Sequence, residues 1–177
     1  DPDRSLMHWA TNRGKRSIVL DPSDATDRDH FAALIAGADI LFTDDPGRLA
    51  QFRIDPARHN PRLIHVAMSG FGAGGPKSDW DAPDLVALAA GGQLRLSGDA
   101  DRAPVRCSVP QAWAHTSGDA ADASLIALHE RHSSGLGQVV DISAQQSVMQ
   151  ATQSLVLNHA FGVEPGARVG GGMRLGP

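Results

Sequence analysis

Three short apolar runs constrain the fold more than any other feature of this chain. They are Ser17-Ile18-Val19-Leu20, Asp39-Ile40-Leu41-Phe42-Thr43 and the stretch Arg62–Met68. Each is bounded by turn residues: Asp21-Pro22-Ser23-Asp24 follows the first, Asp44-Asp45-Pro46-Gly47 the second, and Asn60-Pro61 launches the third. Runs of this length between turn signals read as buried strands. Between the first two, Phe31, Leu34, Ile35 and Ala38 recur at i, i+3, i+4, i+7, which predicts a helix from about Thr26 to Gly37 with one apolar face. Asp27 and Asp29 in its first turn complement the helix dipole. A short helix is expected over Arg48–Phe52. Strand, helix, strand with short connections requires parallel strands joined by crossover helices, so the fold class is α/β.

The third run leads into a glycine loop, Ser69-Gly70-Phe71-Gly72-Ala73-Gly74-Gly75-Pro76. Beyond it, Pro83–Ala90 reads as a helix closed by Gly91-Gly92, and Ser97–Ala103 as a polar turn. Ala120–His132 is Ala- and Leu-rich and helical, stopping at Ser133-Ser134-Gly135. Gln138–Ile142 is a further strand, and Ser143 caps a last helix expected to run to about Ala160, with Gly162 ending it.

Several constellations invite chemistry. The loop holds Gly70, Gly75, Lys77 and Ser78, but a P-loop needs Lys directly after its last Gly, and Pro76 intervenes and removes an N–H. Gly70, Gly72 and Gly75 meet the dinucleotide spacing formally, yet no helix is expected to open there. His129 and His132 stand at i, i+3 near a helix C-terminus rather than at the i, i+4 of a zinc motif, where histidines commonly serve the dipole; no metal site is expected. Cys107 reads as a small core residue with no sequence-adjacent His. Arg13, Lys15 and Arg16 either attract phosphates or are a solvated segment before a strand, and composition favours the second. A net charge of -4 offers no basic stripe for nucleic acid, and no run of 18 apolar residues offers a membrane span. One cysteine rules out an internal disulfide and fits a reducing cytoplasm. The opening Asp1-Pro2-Asp3 and the ending Gly170-Gly171-Gly172 to Gly176-Pro177 read as cut ends of a longer chain.

The order of motifs carries a resemblance. Asn12-Arg13-Gly14-Lys15-Arg16-Ser17-Ile18-Val19-Leu20-Asp21 resembles the N-x-x-K-R-S-I-x-L-D segment of family III CoA-transferases. In register with it come Ala38-Asp39-Ile40-Leu41, Pro46-Gly47, Asn60-Pro61-Arg62-Leu63-Ile64, Ser69-Gly70-Phe71-Gly72, Gly75-Pro76, Leu128-His129-Glu130-Arg131 and Gly135-Leu136-Gly137-Gln138-Val139-Val140-Asp141-Ile142-Ser143. The family includes formyl-CoA transferase, carnitine CoA-transferase and alpha-methylacyl-CoA racemase. The resemblance implies a Rossmann-like large domain, here residues 1–162 and truncated, with 163–177 as a Gly-rich loop or the start of a linker to a small domain. It also implies an interlocked dimer, or a tandem or heteromeric partner half. The substrates would be a coenzyme A thioester and a carboxylic acid, with no covalently bound cofactor.

By position, the resemblance assigns Ser69, Gly70 and Phe71 to the pantetheine and thioester of CoA, and Leu20 and Asp21 to its adenosine. It puts Gly170, Gly171 and Gly172 at a flexible flap. The family's nucleophile is an Asp three residues after a Pro. Here Val109-Pro110-Gln111-Ala112 is followed by Trp113, and an indole cannot form the acyl anhydride. Asp44-Asp45 stands where many members have Asn-Phe against CoA, with carboxylates expected to repel its phosphates if close, and Gln51 where formyl-CoA transferase has a CoA-contacting Arg. Pro83 stands where the racemases have a His. Asp119 and Asp122 are the nearby carboxylates, but Asp119 lies nearly two helical turns from Trp113, about 9 Å. The segment therefore reads as the non-catalytic half of a CoA-transferase, the other reading being a CoA-ester binding or structural protein without transfer activity.

Overall fold

A computed structural model describes residues 5–163 and 168 of the chain. The elements are α1 (Leu6–Thr11), α2 (Ala25–Gly37), β1 (Ile40–Thr43), α3 (Pro46–Gln51), α4 (Pro56–His59), β2 (Ile64–Ser69), α5 (Asp84–Ala90), a 3-10 turn at Gln93–Leu96, α6 (Gln111–Ser134), β3 (Val139–Ser143), α7 (Ala144–Ala151) and α8 (Gln153–Ala160). The strands form one parallel sheet in the order β1-β2-β3. Ile40 pairs with Ile64, and His65 with Val139.

Local chemistry sets the boundaries. Asp24 caps α2 by accepting from the Asp27 N–H at 3.1 Å. At the other end of α2 the Asn60 side-chain amide donates to the carbonyls of Ile35 and Ala38, at 3.0 and 2.8 Å, adding to the Ala38 N–H that the Ile35 carbonyl already accepts. Asp45 caps α3 in the same way, accepting from the Arg48 N–H at 3.0 Å. Gly137 follows α6 because nothing larger fits: a Cβ there would lie 2.0 Å from the Leu63 carbonyl oxygen.

Helix α6 covers one face of the sheet. Apart from Arg131 its buried positions are small (Ala112, Thr116, Ala120, Ser124 and Ala127), so its backbone approaches its neighbours closely. Ala120 and Ala127 pack with the fully buried Ile64 and Val66, and Ala112 packs with Leu88 of α5 and Val148 of α7. At the C-terminal end of α6, Arg131 is buried. Its guanidinium donates to the Arg62 carbonyl at 2.8 Å, to the Asp39 carbonyl at 3.3 Å and to the Asp39 carboxylate at 2.7 Å. One side chain thus joins α6 to the first residues before β1 and β2.

The structure agrees with the α/β expectation and with the helices and strands expected between 25 and 143, with corrections. Ser17–Leu20 is not a strand: Val19 is 92% exposed, and no described strand lies beside this segment. A strand exists by pairing, and an apolar run without a neighbour cannot be one. Helix α6 starts at Gln111, not Ala120, because close packing of small residues outweighs the weak helix propensity of His115–Gly118. The expected last helix is two. It breaks at Thr152, whose hydroxyl donates to the Gly91 carbonyl at 2.9 Å. Helices α1 and α4 and the 3-10 turn carry no periodic signal in the sequence.

Two predictions follow from this packing. Arg131→Ala strands the Arg62 carbonyl, the Asp39 carbonyl keeping the Ile64 N–H at 3.1 Å, and is expected to cost about 2–3 kcal/mol, while Asp39→Asn, at a side chain 77% exposed, costs under about 1 kcal/mol; urea unfolding of both variants checks the asymmetry. His65, bonded to the Thr43 hydroxyl at 2.9 Å, is held below its ordinary value of 6.5 by burial. The unfolded chain therefore binds the proton more readily, and stability falls as pH drops through 6.5. Melting temperatures between pH 7.5 and 5.5 are expected to show a downward slope that His65→Asn reduces.

Candidate functional site

In open parallel sheets, ligands bind at the carboxyl ends of the strands. Here β2 ends in the glycine loop and β3 ends at the cap of α7. The loop is fastened at several points. The Ser69 hydroxyl accepts from the Gly72 N–H at 2.9 Å, and the Asp141 carboxylate accepts from the Ala73 N–H at 2.9 Å. The Gly70 carbonyl accepts from the Gln145 N–H at 3.0 Å and from the Ser143 hydroxyl at 3.4 Å. Gly72 and Gly75 have φ of 89° and 105°, which favour glycine. Gly70 lies so close to the returning chain that a Cβ on it would be 2.2 Å from the Ala82 Cβ. Phe71 meets Trp80 edge-on at 6.1 Å, and the Lys77 ammonium lies 5.6 and 5.5 Å from their two ring centres. A hollow opens beside the loop, lined by Phe71, Gly72, Asp141, Ser143, Gln146 and Met149.

The N-terminus of α6 reaches the same edge. Arg131 fixes its other end at the strand starts, and the helix between Trp113 and Arg131 spans about 27 Å, against about 20 Å for six-residue β2. Trp113 thus lies near the carboxyl ends of the strands, where α7 begins at Ala144. It is half-buried and packs on the cluster of Ala87, Leu88, Ala112, Ala144 and Val148. The Asp84 carboxylate, carried by α5, accepts from the N–H groups of Ala112 and Trp113 at 2.9 and 3.4 Å through one oxygen. Asp119 and Asp122 line a second hollow with Asp141, Ser143 and Gln146, further along α6.

Of the residues singled out from sequence, the structure brings Ser69, Gly70 and Phe71 together beside Ser143 and Gln145. Leu20 and Asp21 lie in the turn that leads into α2, and among the described residues no hydrogen bond joins that turn to the loop. The Asp21 carboxylate accepts from the Ser23 hydroxyl at 2.7 Å and from the Ser23 N–H at 2.8 Å. These bonds, helped by Arg28, hold its carboxyl below the ordinary range. Gly170, Gly171 and Gly172 lie outside the described residues. Asp45, which stands where many family members have a CoA-contacting residue, has its carboxylate turned to the start of α3, with Arg48 beside it at 3.7 Å. Reading the sequence missed Asp84 and Gln145 as contacts at this edge; their only signal was their place in family-like segments, which does not say what a side chain touches.

The arrangement defines a class: an α/β domain with a fastened glycine loop and the tip of a long helix at the carboxyl edge of a parallel sheet. The model of CoA-transferase family III matches residues 1–175, so the chain belongs to that family. It is 37% identical over 144 residues to a probable CoA-transferase of Mycobacterium tuberculosis, a match covering 79% of this chain and 18% of that one. It is 33% identical over 155 residues to a subunit of the succinyl-CoA:(R)-benzylsuccinate CoA-transferase of Thauera aromatica, covering 85% of this chain and 38% of that one. The crystal structure of a CAIB/BAIF family protein from Brucella suis superposes with a TM-score of 0.85 at 29% identity, covering 90% of this chain and 43% of that one. The chain spans less than half the length of each of these relatives.

The contact at Gly70 is directly testable. Gly70→Ala is expected to destabilise the domain by about 1–3 kcal/mol. The double variant Gly70→Ala/Ala82→Gly recovers most of that loss, because the clash is between those two Cβ positions. Denaturation of the four members of the cycle measures the coupling.

Proposed function

We propose that this chain is the non-catalytic half of a family III CoA-transferase, shaping an acyl-CoA site whose covalent chemistry is carried elsewhere. The observation that carries this reading is Trp113. It occupies the helix tip where the family pattern calls for a nucleophilic Asp, and it packs on α5 and α7 as an apolar residue. An indole at that place can line a thioester pocket but cannot attack one. Asp119 and Asp122 line a hollow that adjoins the one beside the loop, sharing Asp141, Ser143 and Gln146 with it, but Asp119 lies nearly two helical turns from position 113, about 9 Å, and would need rearrangement to substitute.

Two features of the relatives support a division of labour. The Thauera relative is described as a subunit. In the Mycobacterium relative 144 matched residues are 18% of the length, whereas 155 are 38% of the Thauera one, so the former is about twice as long. Room for a second copy follows from that length. On this reading CoA lies along the loop at Ser69, Gly70 and Phe71, with the turn at Leu20 and Asp21 toward its adenosine, and the acceptor is a carboxylic acid. The complete protein is a dimer or a tandem of two such domains, at work in the cytoplasm. Among the described residues no helix is long and apolar enough to cross a membrane.

Intact-mass analysis after incubation with a panel of acyl-CoAs, followed by hydroxylamine trapping and peptide mapping, tests the proposal. The complete polypeptide is expected to carry its adduct outside residues 5–163. A trapped carboxylate inside that range would show this half to be catalytic. CoA binding with no adduct at any position would favour a CoA-ester binding protein without transfer activity.

A further inference from the structure

The start of α6 poses a physical problem that its own sequence does not solve. The helix has 24 residues, and its N-cap is Pro110, which has no side-chain acceptor for the open N–H groups of the first turn. The residues before it, Val105 and Val109, are exposed and give the turn no anchor in the core. Yet this turn carries side chain 113, at the carboxyl edge of the sheet.

The structure assigns the missing cap to Asp84, as a positioning residue for side chain 113. Its Oδ1 accepts from the N–H groups of Ala112 and Trp113, at 2.9 and 3.4 Å, from 28 and 29 residues away in sequence. A carboxylate at this end also meets the positive pole of the α6 dipole, which strengthens both bonds. Asp84 has little freedom to do otherwise. It is the first residue of α5, the helix whose Ala87 and Leu88 are buried in the cluster that holds Ala112 and Trp113. Donor and acceptor are thus fixed on two helices that share one packed cluster. The second oxygen, Oδ2, is buried with no partner, so the carboxylate is not shared with another donor among the described residues. The functional meaning of fixing side chain 113 rests on the reading of this edge as the acyl-CoA site; the fixing itself does not.

Backbone amide exchange of the unmodified protein tests the assignment without CoA, so its failure and that of the acyl-CoA reading are separable. First-turn amides normally exchange freely because no helical carbonyl reaches them. Here the Ala112 and Trp113 amides are expected to exchange about tenfold or more slowly than that of Gln111. Equal exchange at all three overturns the assignment. A second measurement uses Trp9→Phe/Trp80→Phe, in which Trp113 is the sole indole. Asp84→Ala is expected to shift Trp113 emission to the red and raise its quenching by acrylamide in the folded state, while Asp84→Asn, which keeps an acceptor, restores both. A merely stabilising role would lower the melting temperature and leave folded-state emission unmoved, and that outcome overturns the assignment too, as does Asp84→Asn behaving like Asp84→Ala.

Discussion

The guanidinium of Arg131 is the joint on which the architecture depends. A long helix laid on a parallel sheet has apolar contacts along its length, but these resist sliding poorly, since one alanine row packs much like the next. Arg131 removes that freedom by bonding to carbonyls before two different strands at once. Its charge meets the Asp39 carboxylate, whose side chain stays largely in water, so the pair escapes most of the cost of burying two ions. With the C-terminal end of α6 fixed there, the rise per residue places everything else along it. Ala127 and Ala120 come over the sheet, and Ala112 comes over α5 and α7.

The residues that made the family legible are mostly joints of this kind. Asn60 closes the end of α2, Gly137 admits the Leu63 carbonyl, Asp39 and Arg131 bind each other, and Gly135 ends α6 with a φ of 75°. Each has a geometric task that few other residues perform, so its identity and spacing survive as pattern. The parallel strands and α2 were readable for a simpler reason: apolar runs bounded by turn residues mark the strands and an i, i+3, i+4 apolar face marks the helix, although Leu34, Phe42 and Val139 end up exposed. Ser17–Leu20 was misread because a local apolar run says nothing about whether a neighbouring strand is present to pair with it. The early start of α6 was missed because its buried face is built of Ala, Thr and Ser, which carry almost no hydrophobic signal.

The candidate site was legible only in outline. The loop at Ser69–Gly72 stood out through its glycines, and its position beside β3 matches what such a loop does at the end of a parallel strand. What fastens it did not stand out: the Asp141 carboxylate and the Gln145 amide reach it from 68 to 75 residues further along the chain, a relation that exists only after folding. Asp45 shows what the sequence left open. A pair of acids at a family-like position would repel CoA phosphates if close, and what the carboxylate of Asp45 meets is the start of its own helix.

The support of α6 near both ends has a mechanical consequence. Held only near Arg131, the helix would behave as a cantilever: a tilt of about 5° over the roughly 27 Å to Trp113 would swing that end by about 2 Å. Displacements of that size separate a working active-site geometry from a useless one. The contacts with α5 and α7 at the far end convert the cantilever into a beam supported at both ends, and stiffness at residue 113 then depends on these two short helices as well as on the sheet.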